Sequence, residues 1–198
     1  RGAEIMTLKN AKDLYFFYNA DAGAMMRDGQ YEDFRKMNFS PETLLRWKQE
    51  LIRRYKKIIS GPASVRAKMQ IICKLDEMDD GDGSNKKFIF EYYLKNKAGS
   101  DLFSAILLLE TLCKQDYKPI LQENNYSLKE DADALMASVR KGEYFIDKSY
   151  KEDDFLDEED FAQNNLLKRL EDIEEPGEKE EKKKRGFWKK LFAGKNGK

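Results

Sequence analysis

Residues 40–62 read SPETLLRWKQELIRRYKKIISGP, and this stretch decides the fold class. Ser40 is a good N-cap because a serine hydroxyl accepts from a backbone N–H of the first turn. Pro41 has its φ already set for the first helical position, and Glu42 brings negative charge to the positive end of the helix dipole. Leu44, Leu45, Leu51, Ile52, Tyr55, Ile58 and Ile59 then fall on one face at helical spacing. Gly61-Pro62 stops the helix. Arg46, Lys48, Arg53, Arg54, Lys56 and Lys57 occupy the other side, where a solvated face accounts for them.

The same period governs the rest of the chain. A second helix is predicted over about 63–78, with Val65, Met69, Ile72 and Leu75 inward, and DDGDGSN (79–85) breaks it. In KKFIFEYYLKNK (86–97), Phe88, Phe90 and Tyr92 alternate like a strand, whereas Ile89, Tyr92, Tyr93 and Lys97 suit a helix. A lone strand has no partner elsewhere in this sequence, which favours the helix. Gly99 then reads as its C-cap and Ser100 as the next N-cap. DLFSAILLLETLC (101–113) is apolar nearly all round, the pattern of a central, buried helix. Ser127-Leu128-Lys129-Glu130 is a capping box opening a helix to about Arg140, ended by Gly142, with Ala132, Leu135 and Val139 inward. Towards the N-terminus a helix is predicted over about 8–18, another through Met25-Met26, and a turn at Asp28-Gly29.

Residues 152–174 carry Phe155, Leu156, Leu166, Leu167, Leu170 and Ile173 among many acids. They read as one outer, acidic helix ended by Glu175-Pro176-Gly177. The expected fold is all-α: a compact bundle or short solenoid-like array of six to eight helices over residues 6–174. A charged linker (175–185), a short amphipathic helix (186–194) and a frayed end (195–198) follow. Met6 fits a natural start with residues 1–5 a leftover of processing, and a trimmed chain fits equally. RDGQYEDF (27–34) resembles the mid-repeat turn of tetratricopeptide helix pairs. The rest of that pattern is absent, and no period near 34 residues recurs.

Composition narrows the functions. Of 198 residues, 40% are hydrophobic and 12% aromatic, enough for a real core. Histidine is absent, which excludes histidine general acid/base work, Ser-His-Asp and Cys-His pairs, HExxH zinc sites and Glu-x-x-His di-iron sites. Walker A, dinucleotide-binding, Gly-x-Ser-x-Gly and CxxC motifs are absent too. The expectation is a protein without catalytic residues, metal or cofactor. Cys73 and Cys113 sit in apolar runs and read as two buried small hydrophobes in a reducing compartment. Residues 1–30 lack a secretory signal, and Leu102 to Leu109 is far shorter than the roughly 20 residues of a membrane span. Cytoplasmic placement, peripheral at the inner face of a membrane, is expected.

Two acidic segments invite metal or acid/base chemistry. In the loop from Asp76 to Asn85, placing Gly83 or Gly81 at the sixth EF-hand position puts Met78 among the ligands and Ile89 or Lys87 at the twelfth. Neither register works, so the loop reads as solvated. EDDFLDEED (152–160) sets Asp153 against Asp157 and Asp154 against Glu158 one helical turn apart. That is a self-repelling first turn, favourable to the helix dipole. With Asp160 these acids form an expected face for a basic partner, as in inhibitor or immunity-type proteins.

The zero net charge hides a block pattern. Residues 1–150 carry 25 bases and 23 acids, residues 151–181 carry four bases and 14 acids, and residues 182–198 carry eight bases and no acid. A nearly neutral body suits a phosphate binder poorly, so nucleic acid is not an expected partner. The basic end holds Lys182, Lys183, Lys184, Arg185, Lys189 and Lys190 around Phe187, Trp188, Leu191 and Phe192. The four apolar groups share one side of two helical turns, flanked by lysines. So short a segment does not fold alone and needs a surface for its apolar face. An anionic bilayer, a groove on a partner protein, or the chain's own body would serve. The tail resembles the short amphipathic membrane-targeting ends of some bacterial cytoskeletal and division proteins. That resemblance implies reversible attachment to a membrane. The expected function is a non-enzymatic interaction or adaptor protein tethered by this tail. The alternatives are the inhibitor above and an enzyme using Asp or Glu. An aromatic-rich groove around Tyr15, Phe16, Phe17 and Tyr18 is the remaining ligand site considered, with core packing the favoured reading.

Overall fold

In the computed structural model, residues 7–78, 81–151, 158–174 and 176 are described. They form eleven α-helices and two short 3-10 turns, and no strand occurs among the described residues. The all-α expectation holds. The helices exceed the six to eight expected because four of them span only four to six residues. Periodicity does not register single turns of that length. The described chain divides into two compact units at Ala63/Ser64.

The first unit contains α1 (Leu8–Phe17), α2 (Ala22–Arg27), α3 (Tyr31–Lys36) and α4 (Pro41–Ser60). Ser40 caps α4 as its sequence predicts, accepting from the Thr43 N–H. The buried face of α4 is Trp47, Leu51, Ile52, Tyr55 and Ile59. Leu45 and Ile58, expected inward, are 55% and 39% exposed. Trp47, which the apolar stripe read from the sequence left out, is buried instead. Ala11, Tyr15, Met25, Phe34 and Trp47 make the core. Tyr15 stacks on Phe34 with ring centres 5.9 Å apart and meets Trp47 at 5.7 Å. The groove reading of 15–18 fails at Tyr15, which is buried in this core, while Phe17 points outward at 77% exposure. Lys12 bridges to Glu50 at 2.6 Å, tying α1 to α4.

The second unit contains α5 (Val65–Glu77), α6 (Ser84–Asn96), α7 (Leu102–Leu112), α8 (Lys118–Glu123), α9 (Leu128–Lys141), α10 (Lys148–Lys151) and α11 (Gln163–Glu171). Residues 86–97 are helical, as the missing strand partner predicts. A 3-10 turn (Lys97–Gly99) follows, and Asp101, not Ser100, caps α7 through the Ser104 N–H. The chain needs those extra residues because the 3-10 turn carries it past the position where Gly99 would end the helix.

Nine of the eleven residues of α7 are buried, so it is the centre of this unit. Burying each large aliphatic side chain contributes roughly 1.5–3 kcal/mol before the ordering cost. α5, α6, α9 and α11 pack around α7. Ser127 caps α9 through the Glu130 N–H, and Gly142, at φ 72°, ends it in the left-handed region that glycine enters without strain. Arg169 on α11 grips Glu110 on α7 with two hydrogen bonds of 2.8 Å. Its guanidinium lies 4.8 Å over Phe103.

Three further expectations are corrected here. The single helix over 152–174 does not form: residues 158–161 are turns, and α11 begins only at Gln163. Glu158, Glu159 and Asp160 are three consecutive acids, which gain nothing from stacking along one helix. The acidic loop is not simply solvated, because Asp76 and Asn85 are buried. Cys73 is exposed and Cys113 half-buried, so neither is the buried hydrophobe expected, and neither forms a disulfide. On α5 the inward stripe is Met69, Ile72 and Leu75 with Asp76, which turns Cys73 to the outside.

Candidate functional site

α7 begins at Asp101, which does two things. Its Oδ1 accepts from the Ser104 N–H at 3.1 Å and so caps the helix. Its Oδ2 is buried and has no hydrogen-bond partner. The residue is 2% exposed. An ionised carboxylate in that position is costly unless paired. Burial, with the nearby charge of Asp147 and against the hydrogen bonds from Ser104 and the Asp147 backbone N–H, holds the Asp101 carboxyl above the usual carboxylate range.

Asp101 lines a recess of about 600 Å³ in the second unit. Four pieces of chain build it: the first turn of α5, the last turn of α6 with the 3-10 turn behind it, the start of α7, and the segment leading to α10. That segment is fastened at several points. The Leu102 N–H donates to the Phe145 carbonyl at 2.9 Å. Asp147 Oδ1 accepts from the Ser149 N–H at 2.9 Å and its hydroxyl at 2.5 Å. Ser149 Oγ in turn accepts from the Arg66 N–H. Behind Asp101, the hydroxyls of Ser104 and Tyr150 share a buried hydrogen bond of 2.8 Å. Burial raises the Tyr150 phenol well above its ordinary value, so this pair stays neutral.

The lining mixes three chemistries. Val65, Met69 and Leu108 give an apolar wall, with Phe145, 56% exposed, at the surface. Asp101 and Asp147 supply acids. Lys68 and Lys95 supply bases, and neither makes an ion pair among the described residues. The charge of Asp147 raises Asp101, whereas Asp147 itself is held low by its hydrogen bonds from Ser149, with a smaller contribution from Lys148. Neither lysine lies within ion-pairing distance of either acid.

Two other carboxylate clusters have a different character. Asp76 accepts from Lys114 at 2.5 Å and from the Tyr117 hydroxyl at 2.6 Å, with Lys86 at 3.4 Å. Burial alone would raise its pKa, but these partners outweigh it and hold the carboxyl below the usual range. Asp131 accepts from the hydroxyls of Tyr93, at 2.6 Å, and Tyr126, and from Lys97 at 3.0 Å. It is held low in the same way against its burial. Both clusters are closed: their donors and acceptors match.

Of the site residues singled out in the sequence, only two are described. Lys182, Lys183, Lys184, Arg185, Phe187, Trp188, Lys189, Lys190, Leu191 and Phe192 are outside the described residues, as are Asp153, Asp154 and Asp157. Glu158 and Asp160 fall in the turn before α11. Neither of these two lines the recess. Sequence reasoning missed the recess because its walls come from stretches some 80 residues apart. The available signal was an aspartate directly before the apolar run LFSAILLL. No group of three or more metal-ligating side chains occurs among the described residues. No described helix is long and apolar enough to cross a membrane. Comparison with protein-family models, curated proteins and solved structures returns no match.

Proposed function

We propose that this chain is a non-enzymatic interaction protein, held reversibly at an anionic membrane surface on the cytoplasmic side by its C-terminal tail. One observation carries the reading: Phe187, Trp188, Leu191 and Phe192 share a helical face inside a segment with eight bases and no acid. A bilayer interface takes such a face, with aromatic rings at the headgroup boundary. Each Lys or Arg near an anionic surface contributes about 1 kcal/mol, and the apolar side chains add several more before the ordering cost. That sum supports reversible binding. The acidic stretch before the tail keeps the body's surface from competing for the same lipids. The helical body is the part that recruits. Its two closed carboxylate clusters, around Asp76 and Asp131, serve the fold.

Co-sedimentation of the full chain with neutral and anionic vesicles tests this. The full chain is expected in the pellet with phosphatidylserine vesicles at low salt. Binding falls at physiological salt, because exposed charges are screened. Trp188→Glu is expected to abolish it. Equal sedimentation of wild type and Trp188→Glu, or none by wild type, would reject the membrane reading and leave a partner groove for the tail.

A further inference from the structure

Independently of the tail, we infer that the recess at the start of α7 binds a small zwitterion with an apolar or aromatic body, of the class of aromatic amino acids and short peptides. Asp101 supplies the first argument. It sits at 2% exposure with Oδ1 bonded to Ser104 and Oδ2 without a hydrogen bond of full geometry, the Asp147 backbone N–H being the one further donor near the carboxyl. A buried polar atom without a partner costs free energy that a donor from a ligand would recover. The missing donor is an N–H, and a cationic one serves best against a carboxylate.

The lysines supply the second argument. Lys68 and Lys95 line the same recess without an ion-pair partner, yet neither reaches the acids. A purely cationic ligand would leave these lysines unused and face their repulsion. A ligand carrying an ammonium at one end and a carboxylate at the other meets both signs. The third argument is the middle of the recess. Val65, Met69 and Leu108 form an apolar wall, and Phe145 offers an exposed ring. A volume of about 600 Å³ lies within the range of small-molecule sites.

Binding is read by amide chemical shifts of the isotope-labelled full chain titrated with L-phenylalanine, the dipeptide Phe-Leu, 2-phenylethylamine and 3-phenylpropionate. The zwitterions are expected to shift the amides of Gly99, Ser100 and Ser104 saturably. The amine and the acid, each lacking one charge, are expected to bind about tenfold more weakly or worse. Stronger binding by Phe-Leu than by phenylalanine would identify a peptide ligand. Asp101→Asn keeps a side chain that caps helices and is expected to weaken the amine-bearing probes about tenfold. The double variant Lys68→Gln/Lys95→Gln changes half-exposed and exposed side chains and is expected to weaken only the carboxylate-bearing probes. The inference is overturned if no probe shifts these amides up to about 10 mM. It is equally overturned if all four bind alike, or if both variants bind as wild type does.

Discussion

Asp76 and Asp101 are buried to nearly the same degree in the same unit, at 6% and 2% exposure, and their surroundings differ completely. Asp76 is met by two lysines and a phenol. Asp101 is met by the backbone N–H groups of Ser104 and Asp147 and a neutral hydroxyl pair, with the acid of Asp147 nearby. Burial disfavours the ionised form of both. At Asp76 the cations overcome it, and at Asp101 nothing does. One carboxylate is therefore a structural tie between α5, α6 and the chain around α8. The other keeps unused bonding capacity in a recess. Depth of burial does not separate these roles, whereas the inventory of partners does.

The largest expected effect lies at the paired site. Asp76→Ala removes the acceptor from the fully buried Tyr117 hydroxyl and leaves Lys86, 23% exposed, without its buried partner. Removing one member of such a cluster costs about 3 kcal/mol. A urea-unfolding midpoint lowered accordingly, with an unchanged slope, is the expected result. A loss below about 1 kcal/mol would show that the lysines find solvent at no cost and that the two sites differ less than their geometry implies.

The contrast also explains what could be read from the sequence. α4 and α9 were legible because Ser40-Pro41-Glu42 and Ser127-x-x-Glu130 are local signals whose hydrogen bonds close within one turn. The centrality of α7 was legible because no face of LFSAILLL is polar. Asp76 was misread as part of a solvated loop because its partners, Lys114 and Tyr117, are about 40 residues away. Cys73 was misread for the matching reason: it neighbours apolar residues in sequence, but the inward turn of α5 belongs to Ile72 and Leu75. The recess was illegible altogether. A cap such as Asp101 has a local partner that sequence shows and a second oxygen whose surroundings only the fold determines.

The next effect is a pH profile. With no histidine, no ordinary side chain titrates between about pH 5 and 8. Asp101 has a folded pKa above its unfolded value of about 3.9. Its ionised form therefore opposes folding at neutral pH, and that penalty fades as pH falls through the folded pKa. Asp76 and Asp131 have folded values below the unfolded one. Their contribution is complete above about pH 4 and is lost as pH falls through the folded values. Urea midpoints measured against pH should rise as pH falls through the folded value of Asp101 toward about 4, then drop as Asp76 and Asp131 take up protons. A monotonic fall from pH 7 downward would mean that Asp101 is not destabilised by its site.

The smallest effect is the most informative about the recess. Asp101→Asn retains the Ser104 cap, since asparagine and aspartate cap helices about equally well. It loses the attraction of a negative charge to the N-terminus of α7, about 0.5 kcal/mol. It removes a buried charge with no cation beside it, in a place where the nearby charge of Asp147 already disfavours ionisation. These changes oppose one another, and the loss of the unpaired charge is the larger. The variant is therefore expected to match or exceed wild-type stability at pH 7 by up to about 1 kcal/mol. Its advantage should vanish as pH falls through the raised folded value of Asp101, where the wild-type carboxyl takes up its proton. A variant clearly less stable than wild type at pH 7 would mean that the carboxylate is already paired in the free protein, which would leave the recess without a vacant acceptor for an ammonium group. A more stable variant that has lost the amine-bearing probes would place the cost of the buried charge and its use at the same atom.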